Sequence, residues 1–196
     1  MKELILILVK KNVCWHCAVF VIFLPMFLQR KMVLKMKICQ KEADKQRAVA
    51  VDEPKDAKHS LLTDTEDTEH NNARINGLWG GFMAGAWGME WYFGYDHPNS
   101  DLTCLDICSR DLFWDQCRYV LDFFEGNDIP VTETENFDNL VQNGDYCLEI
   151  PGKMYIVFLR NGKGILDFEN VNEEFSVKWF DPKNGGTLQN GSIKKY

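Results

Sequence analysis

The chain has 196 residues, of which 45% are hydrophobic and 26% charged, so its composition excludes a wholly disordered or collagen-like chain. Its net charge of -7 is uneven: residues 1–47 carry ten basic and three acidic side chains, and the remainder carries 12 basic and 26 acidic ones. This acidic body argues against nucleic acid as a partner, because phosphate-backbone binding depends on clustered Lys and Arg.

The N-terminal segment, residues 1–45, is apolar and basic. An uncharged stretch begins at Val13 and ends at Leu28, with Lys and Arg on both sides, and a shorter apolar run occupies residues 4–9. The longer stretch falls short of the roughly 20 residues that cross a bilayer untilted, and Pro25 would interrupt a regular helix. The sequence predicts a hydrophobic N-terminal helix, which is either an uncleaved membrane anchor or a non-native extension joined to a truncated domain.

Residues 46–127 alternate β-prone runs with helical patterns. Short apolar runs at residues 48–51 and 89–93 are each followed by a polar loop and then by apolar residues at helical spacing. We expect Asn72 to cap the first helix, and the second helix to start near Ser109 as its cap and to stop at Gly126. This alternation is typical of a parallel α/β sheet, in which functional groups gather where the strands end.

Three glycines, Gly77, Gly81 and Gly85, recur every four residues along the first predicted helix. Each costs about 1 kcal/mol relative to Ala in a helix interior, so the spacing predicts that this helix packs closely against a neighbour.

No metal site or cofactor is predicted. Residues 55–72 are rich in Asp, Glu and His, and we expect a solvated loop there. Among the seven cysteines, Cys14 and Cys17 have the spacing of a redox dithiol but lack the βαβ context of one. Cys104 and Cys108 lack nearby His ligands and are expected to be buried thiols.

Residues 138–196 have only β patterns. Strands are predicted over residues 146–150, 154–160, 164–168 and 175–180, and the turn formers Asn161-Gly162 and Asn184-Gly185-Gly186 interrupt them. The sequence therefore predicts a small antiparallel β-sandwich over these residues.

The residues that follow the two predicted parallel strands could act on sugars. Glu53 and Glu90 are the candidate carboxylates, because paired acids perform displacement and proton transfer at an anomeric carbon. Trp91 offers an aromatic face for a pyranose, although a core position is at least as well supported. The loop after the second strand adds candidate substrate-binding groups, namely Tyr95, Asp96, His97 and Asp101.

Several of these segments together resemble one protein family. The segments are VDEP at 51–54, NARINGLWG at 72–80, GMEWYFGY at 88–95, DLTC at 101–104 and SRD at 109–111. They resemble apiosidase-like glycoside hydrolase-related proteins, in which a TIM barrel precedes a β-rich module named for collagen binding. The motifs YCL at 146–148 and VKWFDP at 177–182 resemble that module.

The resemblance implies that residues 46–127 are the last two βα units of a TIM-like barrel, with Glu53 at the nucleophile position. The acid/base partner is expected on the fourth strand, which this chain lacks, so whether it is an enzyme stays open. The implied function is that of a C-terminal portion of a glycoside hydrolase-like protein, not catalytic alone. Its partners would be a polysaccharide, a glycoprotein glycan or a collagen-like protein, and its location extracellular or membrane-anchored. The alternatives are a membrane-anchored, non-catalytic binding protein and a product without a biochemical role.

Overall fold

The computed structural model describes residues 3–10, 50–51, 61–91, 107–166 and 174–192. The chain divides into two compact units. We call residues 20–118 the α/β unit, and residues 1–19 together with 119–196 the β unit.

Two short parallel strands lie in the α/β unit. The first strand that the structure describes, β1 (Leu4–Lys10), belongs to the β unit. The next two, β2 (Ala50–Val51) and β3 (Gly88–Met89), belong to the α/β unit and pair in parallel, with Val51 opposite Met89. A helix lies between β2 and β3 along the chain. The predicted α/β alternation with parallel pairing is therefore confirmed for this part of the chain.

Helix α1 (residues 72–83) has two parts, a π-helical segment Asn72–Trp79 and an α-helical segment Gly80–Met83. Of the apolar residues at the predicted helical spacing, Leu78, Trp79 and Met83 are buried as expected, whereas Ile75, in the wider π turns, is only half-buried. The expected cap at Asn72 is wrong, because Asn71 precedes the helix and the Asn72 Oδ1 accepts a hydrogen bond from Asn76 Nδ2 at 2.8 Å. The buried residues of the π segment are Ala73, Arg74, Gly77, Leu78 and Trp79.

Helix α1 packs closely on β3 at Gly81. A Cβ atom at this position would come within 2.7 Å of the Met89 Sδ and closer still to its Cε, and Met89 is fully buried. The prediction that the glycine spacing reflects close packing is confirmed at this residue.

A second helix, α2 (Asp111–Glu125), follows a 3₁₀ turn at Ile107–Arg110. Phe113, Val120, Phe123 and Phe124 are its buried apolar residues. The helix ends where the Gly126 N–H donates to the Asp122 carbonyl, so both predicted boundaries hold to within two residues. The division between the two units falls within this helix, after Arg118.

The described strands of the β unit form one antiparallel sheet in the order β4-β5-β6-β1-β7-β8. The bounds of the strands other than β1 are β4 Glu135–Asn136, β5 Tyr146–Ile150, β6 Met154–Leu159, β7 Phe175–Phe180 and β8 Gln189–Gly191. Three of the four predicted strands are confirmed, and of the fourth the described part has only an antiparallel bridge from Leu166 to Val141. The predicted turns at Gly162, Gly185 and Gly186 have the expected positive φ.

Strand β1 changes two expectations. Residues 4–10 form an inner strand between β6 and β7 and are not helical. The described strands of the β unit therefore make a single six-stranded sheet in place of two facing sheets. The remainder of the predicted N-terminal helix, including residues 13–28, lies outside the described residues. Within the described ranges, no helix has the length and apolar character needed to cross a membrane.

Both faces of the inner strands are buried. On one face, Cys147, Val157, Leu6 and Trp179 form a row across β5, β6, β1 and β7. On the other face Ile5 lies between Phe158 and Phe180 in register, and Phe180 contacts Phe123 of α2 with ring centroids 4.9 Å apart. An uninterrupted apolar run suits a strand that is covered on both sides, which explains the composition of β1.

Candidate functional site

The carboxyl ends of β2 and β3 lie at the same edge of the α/β unit, because the two strands are parallel and Val51 pairs with Met89. Glu90 directly follows β3 and is exposed, and Trp91 comes next and is half-buried. Two of the predicted site residues thus stand where a parallel sheet gathers its functional groups. We call Glu90 and Trp91 the β3 edge.

Trp91 is held by the first turn of α2. Its ring lies edge-on to Phe113, with the centroids 4.2 Å apart and an interplanar angle of 80°. Phe113 is fully buried and makes a second edge contact with Trp114 at 5.9 Å. Such a contact adds about 0.5–1.5 kcal/mol beyond the burial of area, so it favours this orientation of the Trp91 ring. Trp91 therefore has a packing role, while its partial exposure leaves some of the ring accessible.

A His–Asp pair supports Phe113. The ring of His70 is almost fully buried and lies edge-on to Phe113, with centroids 5.3 Å apart. Its Nε2 lies 2.7 Å from the Asp64 Oδ1. The other carboxylate oxygen of Asp64 accepts the Leu112 N–H at 2.9 Å, and the Asp64 N–H donates to the Ser109 carbonyl. Asp64 thus joins His70 to the start of α2, where a carboxylate is favoured by the helix dipole.

The acidic composition of residues 55–72 predicts a solvated loop and gives no sign of this pair. Residues 61–70 are instead a series of tight turns, in which the Asp67 Oδ1 accepts the His70 N–H and the Glu66 carboxylate accepts the Thr63 hydroxyl and N–H. The Thr63-to-Glu66 spacing is the signal that could have shown local order, since it is the pattern of a capping box.

Two buried arginines secure the same region. Arg110 donates from Nε to the Leu61 carbonyl at 2.9 Å, and Arg74 donates from an η nitrogen to the Asn71 Oδ1 at 2.6 Å. Each has at most 1% of its surface exposed. Buried guanidinium groups require such acceptors, so these residues brace the turns around His70.

Five predicted site residues, Glu53, Tyr95, Asp96, His97 and Asp101, lie outside the described residues. The structure therefore brings together Glu90 and Trp91 and adds Phe113, His70 and Asp64 behind them. Among residues 3–10, 50–51, 61–91, 107–166 and 174–192, no group of three or more His, Cys, Asp or Glu is arranged to hold a metal ion.

The thiols of the described part differ in accessibility. Cys108, expected to be buried, is exposed, whereas Cys147 is buried and Cys117 half-buried. Burial raises the pKa of the Cys117 and Cys147 thiols far above the ordinary value, and nearby Asp138 and Glu149 add to the shift at Cys147. Because the thiolate is the nucleophile, neither residue suits thiol catalysis at neutral pH.

Two carboxyl groups of the β unit have a pKa above the ordinary value. Glu149 lies opposite Glu135 in the β4–β5 register, and its pKa is raised by burial and by the charge of Glu135. Asp145 is buried, and its Oδ1 accepts the Arg160 N–H at 2.9 Å. Burial raises the pKa of Asp145, and the hydrogen bond and charge of Arg160 partly oppose this.

Comparisons of the chain with known protein families, with curated proteins and with solved structures gave no match.

Proposed function

We propose that this chain is a glycoside hydrolase-like protein that binds carbohydrate at the β3 edge without hydrolysing it. The observation that supports this proposal best is the parallel pairing of Val51 with Met89, followed directly by an exposed carboxylate and a half-buried indole. In this proposal β2 and β3 correspond to the seventh and eighth strands of a TIM-like barrel. The ligand is a polysaccharide or a glycoprotein glycan.

The chemistry of the β3 edge suits a sugar. An indole presents a flat apolar surface to the C–H groups of a pyranose, and a carboxylate accepts hydrogen bonds from its hydroxyls. The edge contact between Trp91 and Phe113 holds the indole before a ligand arrives, which reduces the ordering cost of binding. Glu90 is next to Trp91 in sequence and is exposed.

Binding is proposed in preference to hydrolysis because glycosidases use two carboxyl groups on opposite sides of the scissile bond. The family resemblance assigns the nucleophile to Glu53 and the acid/base to the fourth barrel strand, which has no counterpart among the described residues. We therefore expect no cleavage of glycans by this chain alone. The β unit, in the same proposal, is an accessory module that contacts glycan or a collagen-like protein.

The test is binding of the full chain to a panel of soluble polysaccharides and glycoproteins by affinity electrophoresis, with release of reducing sugar measured in parallel. W91A should weaken binding by about tenfold or more, which corresponds to roughly 1.4 kcal/mol. W91F should retain the contact with Phe113 and lose less, and E90Q should weaken binding with little effect on stability. E125Q, an exposed carboxylate at the end of α2, is the matched control and should bind as the unchanged chain does.

Two results would contradict the proposal. One is retention of every glycan on the panel at unchanged affinity by W91A, which would place binding away from the β3 edge. The other is sugar release that is lost in E53Q, which would show a complete catalytic site in this chain.

A further inference from the structure

The inner strand of the β unit comes from a part of the sequence that is remote from its other strands. Strand β1 ends at Lys10, and the remaining strands of the unit begin with β4 at Glu135. The two pieces of the unit, residues 1–19 and 119–196, are separated along the chain by the whole α/β unit. A central strand is thus attached to its sheet by a long connection.

Strand β1 fills a groove between β6 and β7. It pairs antiparallel with both, Leu4 to Val9 with β6 and Ile5 to Lys10 with β7. Ile5, Leu6, Ile7 and Leu8 each expose 2% or less of their surface. Without β1 the facing edges of β6 and β7 would lack partners, and the apolar rows on both faces would be interrupted. We call the space between these two strands the β1 groove.

Only a segment of particular composition and conformation can fill the β1 groove. Both faces of the strand are covered, so the groove requires apolar side chains at four successive positions, in extended conformation and in antiparallel register. Residues 4–10 of any copy of this chain meet this requirement with identical contacts. Exchange of an identical element between copies therefore preserves the interface energy, and the main cost is the lost freedom of association.

We propose that the β1 groove accepts residues 4–10 from a second copy of this chain, so that the protein forms strand-exchanged dimers. Pairing of an added strand with open sheet edges is an established mode of peptide recognition. The opposite charges of the two parts of the chain, basic over residues 1–47 and acidic beyond them, favour the encounter between copies. The inference does not depend on the carbohydrate function.

The test uses cysteine pairs between β1 and β7 in the full chain. Leu8 lies opposite Val177 in register, so L8C and V177C place two thiols across adjacent strands, within the range that a disulfide spans. One chain carries L8C and is isotopically labelled; the other carries V177C and is not. The two are unfolded together under reducing conditions, refolded as a mixture and oxidised, and the 8–177 link is identified by mass spectrometry.

Exchange predicts a link between labelled and unlabelled chains, and a yield that rises with protein concentration during refolding. The matched control replaces V177C with K178C, whose position lies opposite Ile7 and therefore on the other face of the sheet, and should give little or no link to L8C. A chain that carries both L8C and V177C tests whether β1 occupies the β1 groove in this register.

Each result of these experiments either supports strand exchange or contradicts it. If the double variant links only within one chain and the mixture gives no interchain link at any concentration, β1 stays in its own copy and the proposal is wrong. If the double variant forms no 8–177 link at all, β1 does not occupy the groove in this register and the proposal also fails. An interchain 8–177 link that is absent with K178C supports it.

Discussion

The carboxylate of Asp64 lies 2.7 Å from the Nε2 of His70, and its second oxygen accepts the Leu112 N–H. One side chain therefore holds a buried imidazole with one oxygen and the first turn of α2 with the other. The imidazole in turn contacts Phe113, which contacts Trp91 at the β3 edge. The position of Trp91 is thus linked to a carboxylate that does not touch it.

We expect D64A to lower the free energy of unfolding by about 2 kcal/mol, because it removes a charge-assisted hydrogen bond at a helix start and leaves a buried imidazole without this acceptor. Urea denaturation followed by tryptophan fluorescence measures the change. D115N is the control, since Asp115 pairs with Arg118 at an exposed site, and it should cost less than about 0.5 kcal/mol. Equal losses in the two variants would show that Asp64 has no special role.

G81A should destabilise the α/β unit by about 1 kcal/mol, although Ala is the better helix former, because the added methyl group forces the end of the buried Met89 side chain to shift. The same substitution in an M89A background should cost less, since the shorter side chain makes room. A double-mutant cycle on the denaturation midpoints measures this coupling. Additive effects would contradict close packing between α1 and β3.

E135Q should lower the pKa of Glu149, because it removes the like charge directly opposite on β4. A carboxyl whose folded pKa is raised above its unfolded value destabilises the fold once it ionises, so stability falls as pH rises through the unfolded pKa and then the folded pKa. E135Q should therefore stabilise the β unit by about 0.5 kcal/mol above that range and change little below it.

Carboxyl ¹³C chemical shifts across a pH titration give the Glu149 pKa, and urea midpoints at several pH values give the stability. E133Q is the control: Glu133 pairs with Lys153 at 3.7 Å on an exposed surface, and it should leave the titration of Glu149 unchanged. A Glu149 titration that E135Q does not move would remove the like-charge explanation.

Thiol labelling should distinguish the cysteines. Of the three cysteines in the described residues, iodoacetamide should modify Cys108 first in the native protein, because it is exposed, whereas Cys117 and Cys147 should react only after unfolding, since burial disfavours their thiolates. Peptide mass spectrometry over a time course measures the order. Rapid native labelling of Cys147 would contradict its buried position on β5, in the apolar row that it forms with Val157, Leu6 and Trp179.

Local patterns predicted the elements whose partners are close in sequence. Strands β5, β6 and β7 and the glycines of the turns follow from short β-prone runs bounded by turn formers, and α2 follows from its apolar spacing. The apolar spacing of helix α1 predicted most of its buried side, since Leu78, Trp79 and Met83 are buried. It did not predict the π-helical turns, which leave no mark in that spacing.

Elements defined by distant partners were harder to predict. Strand β1 pairs with residues about 150 and 170 positions away, and an apolar run covered on both faces has no alternation that separates it from a membrane segment. For the candidate site, Glu90 and Trp91 followed from the end of a β-prone run. Asp64 and His70 did not, because a hydrogen-bonded His–Asp pair inside a polar stretch has the composition of a solvated loop.

The place of β1 in its sheet also bears on the order in which the protein is made. Residues 4–10 are synthesised before their partners in β6 and β7, which follow about 150 and 170 residues later along the chain. Until β6 and β7 are synthesised, the apolar β1 segment has no strand to pair with and is accessible to chaperones and to other nascent chains. Completion of the sheet therefore depends on long-range contacts and follows the synthesis of β1 by a long interval, and such steps are slow and prone to aggregation.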